Sequence, residues 1–71
     1  MKQLHAITWK ENKLFIARAL ELEVTSQGHS EKEALKNLQE ALELYFESGD
    51  GSNIAQVEAP KIQNLSINFN A

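Results

Sequence analysis

One long amphipathic segment limits what this chain can fold into. Apolar side chains recur there at intervals of three and four residues, which is the spacing of one face of an α-helix. At about 100° per residue they form a stripe roughly 140° wide, so the helix needs a flat apolar surface to pack against. The sequence therefore predicts a helix over residues about 31–48 that lies on a sheet. The stripe consists of Ala34, Leu35, Leu38, Ala41, Leu42, Tyr45 and Phe46.

The residues around position 30 predict where this helix begins. Ser30 and Glu33 have capping-box spacing, in which the Ser hydroxyl accepts from the Glu amide and the Glu carboxylate accepts from the Ser amide. Gly28 permits a tight reversal from a strand into the helix. Asn37 is awkward inside a helix and is expected to bond to neighbouring backbone. These four residues are interpreted as structural.

Alternation of apolar and polar residues elsewhere predicts strands, because successive side chains of a strand point to opposite faces. The run from Leu14 to Thr25 alternates throughout. It exceeds the usual strand of about five or six residues, so we expect a break, bulge or bend near residues 19–21 that divides it in two. Near the C-terminus Leu65 and Ile67 alternate with polar residues. The predicted strands cover residues about 2–10, 14–19, 21–26 and 62–70.

The order strand, strand, strand, helix, strand predicts an α+β fold in a single domain over residues 1–71. The helix would pack on one face of a small sheet. Apolar residues occur at both parities of the first two predicted strands, so the other face is expected to be partly apolar. Such a surface favours a homodimer or a bound partner.

Composition excludes several classes of function. The chain has no Cys, which rules out disulfides and thiolate sites and fits the cytoplasm. No run of about 18 apolar residues is present, so no membrane span is expected. The net charge of -3 opposes direct binding to nucleic acid and favours a basic partner.

The sequence offers little for catalysis or metal binding. His29 beside Ser30 has the composition of a base and a nucleophile, but the hydroxyl is already assigned to the helix cap. His5 is interpreted as a strand residue. Glu21 and Glu23 share one predicted strand face, and solvated carboxylates are a commoner explanation than a metal site without further ligands. We therefore expect no enzyme activity, no catalytic residue, no metal and no cofactor.

A group of acidic residues near the helix C-terminus favours protein binding. Glu43 and Glu47 repel each other at a helix end that prefers cations. The alternatives are a solvated face and an acidic docking surface for a basic protein. Trp9 lacks a surrounding basic patch, which favours packing in a core or interface over stacking on a base. The candidate partner-binding residues are Trp9, Glu21, Glu23, Glu40, Glu43, Leu44 and Glu47.

The run SQGHSEKEALKNLQEALELYFE resembles the signature of the HicB-like antitoxins. That signature reads approximately Ser-Gln-Gly, then Glu-Glu-Ala-Leu, then Asn-Leu, then Glu-Ala-Leu. The run WKENKLFIARALELEV also resembles the first hairpin of the family, so the resemblance covers residues 1 to about 48. The matching signature residues are Ser26, Gln27, Gly28, Glu33, Ala34, Leu35, Asn37, Leu38, Glu40, Ala41 and Leu42.

The resemblance implies a partial ribonuclease-H-like fold of three antiparallel strands, a helix and a fourth strand. It also implies an antitoxin that neutralises a small basic toxin similar to HicA, a ribonuclease that cuts messenger RNA. Many relatives carry a DNA-binding segment after the fourth strand, and none is visible here, so direct DNA binding is not expected. The alternative function is a stand-alone dimeric scaffold or regulatory domain without enzymatic activity.

Overall fold

The computed structural model describes residues 3–47 and 54–68. Three strands form one sheet in the order β1-β2-β3, and both neighbouring pairs are antiparallel. One helix packs on this sheet and contacts all three strands. The predicted α+β class, with one helix on a small sheet of three antiparallel strands, is confirmed. The elements are β1 (Ala6–Glu11), β2 (Leu14–Ala19), β3 (Thr25–Gly28) and α1 (Glu31–Glu47).

β1 and β2 form a hairpin with a two-residue turn. Glu11 pairs with Leu14, which leaves Asn12 and Lys13 in the turn. Asn12 has a φ of 55°, in the left-handed region that Asn tolerates better than most residues. The same register pairs Trp9 with a β2 residue on the face opposite to the helix.

The break between β2 and β3 is longer than predicted. Residues 20–23 form a bend, which is closed by a hydrogen bond of 3.0 Å from the Ala19 amide to the Val24 carbonyl. β3 therefore begins at Thr25, and the predicted third strand over residues 21–26 is wrong at its start. β1 begins at Ala6 rather than near residue 2, and the amide of the preceding His5 donates to the Glu21 side chain.

The helix begins as its capping residues predict, with one difference. The Glu33 amide donates to Ser30 Oγ at 3.1 Å. The Glu33 carboxylate accepts from the amide of His29 at 2.8 Å rather than from that of Ser30. The cap therefore holds the two residues before α1, His29 and Ser30, as well as the first turn of the helix.

Gly28 is required by a close approach between β3 and α1. A Cβ atom at this position would lie 2.7 Å from the backbone nitrogen of Ala34 and 2.9 Å from Cβ of Glu33. This close approach supports the predicted structural role. The reason is the lack of a side chain, which allows the first helical turn to sit directly against the end of the strand.

The core is small and lies under the first half of the helix. Ala17, Ala34 and Leu38 are buried, and Phe15 and Leu42 pack partly buried beside them. The second half of the predicted stripe is only half-buried. The helix is therefore held mainly through its first turns, against β2 and β3.

The C-terminal region is attached to the bend after β2 but forms no regular secondary structure in residues 54–68. The Ala55 amide donates to the Glu21 carbonyl at 3.2 Å. The predicted fourth strand over residues 62–70 is not paired along its described part, and residues 69 and 70 lie outside the described residues.

Asn37 joins the helix to the sheet. Its Nδ2 donates to the Gln27 carbonyl of β3 at 2.8 Å, which confirms the expected bond to backbone. Because Asp has a similar helix propensity but cannot donate, Asn37→Asp should lower the free energy of unfolding by about 1 kcal/mol in urea denaturation. The control Gln39→Asp adds the same charge at an exposed helix position and should change stability by less than about 0.5 kcal/mol. Equal losses in the two variants would contradict a specific role for this bond.

Candidate functional site

A buried carboxylate holds the start of the chain to the bend after β2. Glu21 is only 5% exposed. The His5 amide donates to its two carboxylate oxygens at 3.0 and 3.2 Å, and His5 Nδ1 lies 2.6 Å from Oε2. Burial acts to raise the pKa of Glu21, but the hydrogen bonds from His5 outweigh it and hold the pKa below its ordinary value of 4.5. Glu21 is therefore ionised at neutral pH and serves as an anchor.

This geometry corrects the interpretation of Glu21 as a solvated strand residue and as a partner-binding residue. The residue lies in a bend, and its carboxylate is enclosed by its own chain. Glu23 is exposed, so the two side chains do not form a pair on one surface. Pattern analysis had no signal for this contact, because it joins residues 16 positions apart through the hairpin.

The described residues do not assemble a recognisable catalytic or metal centre. Within residues 3–47 and 54–68 no three His, Asp or Glu side chains are grouped so that they could hold a metal ion. The Ser30 hydroxyl accepts from the Glu33 amide, as a helix cap does. A cleft of about 550 Å³ lies between the start of β1 and residues 60–62, and its lining is mainly aliphatic apart from His5, Thr8 and Lys61.

The helix-free face of the sheet is apolar at its centre and neutral in charge. Its residues follow from the register, which places alternate positions of the three strands on the side away from α1. Trp9 is 37% exposed, and its Nε1 donates to Glu11 Oε2 at 2.6 Å. One acidic and one basic side chain, Glu11 and Arg18, flank the apolar centre. The face comprises Ile7, Trp9, Glu11, Leu14, Ile16, Arg18, Thr25 and Gln27.

A second surface lies on the C-terminal half of α1, and we call it the acidic surface. Its members are exposed, and Leu44 among them is 67% exposed. The last turn of α1 contains no basic residue, so nothing there offsets the negative end of the helix dipole. The acidic surface consists of Glu40, Glu43, Leu44 and Glu47.

Across the described ranges, no helix combines the length and hydrophobicity that a bilayer span needs.

The candidate partner-binding residues therefore do not form one site. Four of them share the acidic surface, as their helical spacing predicts. Trp9 lies across the sheet on the helix-free face, Glu23 is in the bend, and Glu21 is buried. The structure thus presents two separate surfaces, one acidic and one apolar.

Comparisons with known proteins give a family but no activity. No curated protein and no solved structure matches the chain. A family model described as a family of unknown function, DUF7387, matches residues 2–71. That description names neither HicB-like antitoxins nor toxin–antitoxin systems. Because the match spans nearly the whole chain, this protein belongs to the DUF7387 family.

Proposed function

We propose that this protein is a non-enzymatic binding module that acts in the cytoplasm as the antitoxin of a small basic toxin. The toxin would be a messenger-RNA-cleaving protein similar to HicA. The observation that carries the proposal is the acidic surface, where three exposed glutamates lie beside the exposed Leu44. A basic partner is the ligand whose charge this surface complements.

The charge distribution on α1 is unfavourable for the isolated helix. Residues 37–47 contain three Glu and no Lys or Arg, and they occupy the end of the helix that prefers cations. A negative charge in the last turn, such as that of Glu47, costs about 0.3–1 kcal/mol. Lys or Arg side chains of a partner would turn this cost into attraction and speed association at low salt. Leu44 would supply the apolar contact at the centre of the interface.

The HicB-like signature supports the fold more directly than the role. Gly28, Ser30, Glu33 and Asn37 all make contacts that position α1 on β3. A partial ribonuclease-H-like fold, completed by a fourth strand from residues 62–70, is part of this proposal, and the apolar alternation of Leu65 and Ile67 supports it. The mechanism is steric and electrostatic cover of the toxin's RNA-binding surface, without turnover.

The proposal is tested by co-expression with the protein encoded by the adjacent gene, which the proposal requires to be small and basic. We expect a complex and relief of toxicity. Glu43→Lys should weaken the complex at least about tenfold, because it replaces attraction by repulsion at the centre of the acidic surface. This variant also places a cation near the helix C-terminus, which favours the helix, so lost binding is not explained by unfolding.

Glu58→Lys is the matched control, since it makes the same charge change at an exposed residue outside the candidate partner-binding set. It should leave the affinity within about threefold of wild type, because surface charges away from the interface act weakly. Absence of any complex, or equal weakening by both variants, would remove the antitoxin proposal. A stable homodimer without a basic partner would instead favour the scaffold function. The exposed Leu65 and Ile67 support that alternative, because exposed apolar side chains favour self-association.

A further inference from the structure

Residues 61–68, which we call the arm, expose apolar side chains that no other part of residues 3–47 and 54–68 covers. Ile62, Leu65 and Ile67 are 83%, 82% and 71% exposed. Polar residues alternate with the last two, and Lys61 is the only charged residue of the arm. This pattern is that of a strand with one apolar side, and such a side is normally buried.

The open edge of β1 has the complementary pattern. β1 lies at the end of the sheet, and within residues 3–47 and 54–68 it has a strand partner only on its β2 side. An open edge presents unpaired backbone groups to another strand. Ile7 and Trp9 point to the helix-free face, whereas Thr8 bonds to Glu31 of α1 and Lys10 lies over Phe15 on the helix side.

A strand added to this edge would match β1 side by side. Leu65 and Ile67 would lie beside Ile7 and Trp9, and Ser66 would lie beside the polar residues of β1. At about 3.3 Å per residue the arm spans roughly 26 Å as a strand, enough to cover the roughly 20 Å of β1. The arm therefore has both the length and the side-chain order of a fourth strand.

A strained turn separates the arm from the part of the chain that is held. Ile54 and Val57 are half-buried, and the Ala55 amide bonds to the bend. Ala59 then has a φ of 47°, a conformation unfavourable for a residue with a Cβ, and Pro60 follows it. Strained short hinges favour exchange of the following segment between copies.

We propose that the arm adds as a strand to the open edge of β1 in a second copy, reciprocally, to form a two-fold symmetric dimer. Within one chain, residues 60–62 already lie beside the start of β1, yet Leu65 and Ile67 stay exposed. A second copy fits better than a charged partner, because the arm is nearly uncharged and the helix-free face is neutral. The inference rests on the proposed fourth strand. It does not rest on toxin binding, because the acidic surface is on α1 and the arm would pair with the edge of β1.

Sedimentation velocity of the full chain over a wide concentration range tests this. Wild type should reach twice the 8.0 kDa mass of one chain. Leu65→Asp should weaken the dimer about a hundredfold, because two buried Leu side chains are lost per dimer. Leu65 is 82% exposed in the single chain, so the variant should fold and keep the helical part of the circular dichroism spectrum of wild type.

Ser66→Asp adds the same charge on the other side of the arm and should leave the dimer intact. A monomer at every concentration would overturn the inference, as would equal dissociation of both variants. A monomer with slowly exchanging arm amides would also overturn it and would place the fourth strand in its own sheet. A monomer that still binds the toxin refutes only this inference, and a dimer that binds no toxin refutes only the antitoxin role.

Discussion

Replacing Gly28 with alanine is expected to lower the free energy of unfolding by about 2 kcal/mol, the usual cost of overpacking a tight contact. The added Cβ would lie 2.7 Å from the Ala34 nitrogen. Neither the Ala34 nitrogen nor the Glu33 Cβ, which would lie 2.9 Å away, can move without lifting the first turn of α1 from β3. Urea denaturation of both proteins at neutral pH measures the loss.

Gln27→Ala is the control for this prediction. Gln27 is the exposed neighbour of Gly28 in β3, and its side chain lies on the helix-free face. Its truncation should change stability by less than about 0.5 kcal/mol. If Gly28→Ala were as stable as Gln27→Ala, the close approach of helix and strand would not be a requirement of the fold.

Replacing Glu21 with alanine is the second large effect, and we expect a loss of about 2 kcal/mol, because hydrogen bonds to charged groups contribute more than neutral ones. The change leaves the amide and ring nitrogen of His5 without their acceptor. Denaturation in urea at neutral pH again measures it. Glu23→Ala, two residues along the same bend but exposed, should lose less than about 0.5 kcal/mol.

The same contact predicts a pH dependence. The pKa of Glu21 is lower in the folded state than its ordinary value of 4.5, so the stability it contributes is fully present above that value. It is lost as the pH falls below 4.5 and through the folded-state pKa. The stability difference between wild type and Glu21→Gln should therefore shrink on acidification. A difference that stays constant between neutral pH and about pH 3 would contradict the ionised anchor.

Local patterns predicted the helix and its start well. The capping spacing of Ser30 and Glu33 and the stripe through Ala34 and Leu38 involve residues within one or two turns, and the structure confirms them. The bounds of β2 also agree with the prediction. The bounds of β1 and β3 differ from the prediction. A contact between His5 and Glu21, which are 16 positions apart, lies just before the start of β1 and in the bend before β3.

The candidate surfaces also differ in how far local sequence patterns predict them. The acidic surface follows from helical spacing alone, and the apolar helix-free face follows from strand parity, so both were predictable from sequence. The burial of Glu21 was not, because it depends on the hairpin bringing His5 to the bend. The arm alternates like a strand, but it has no paired neighbour within residues 3–47 and 54–68, and alternation alone does not identify the partner of a strand.

The central claim is that one helix covers one face of the sheet and that another protein molecule covers the apolar residues left exposed. Isotope-filtered nuclear Overhauser spectra of a mixture of labelled and unlabelled chains test it most directly. We predict contacts between the Leu65 methyl groups of one chain and the Trp9 ring of another. Spectra in which the arm contacts only its own chain, or no chain at all, would contradict the claim.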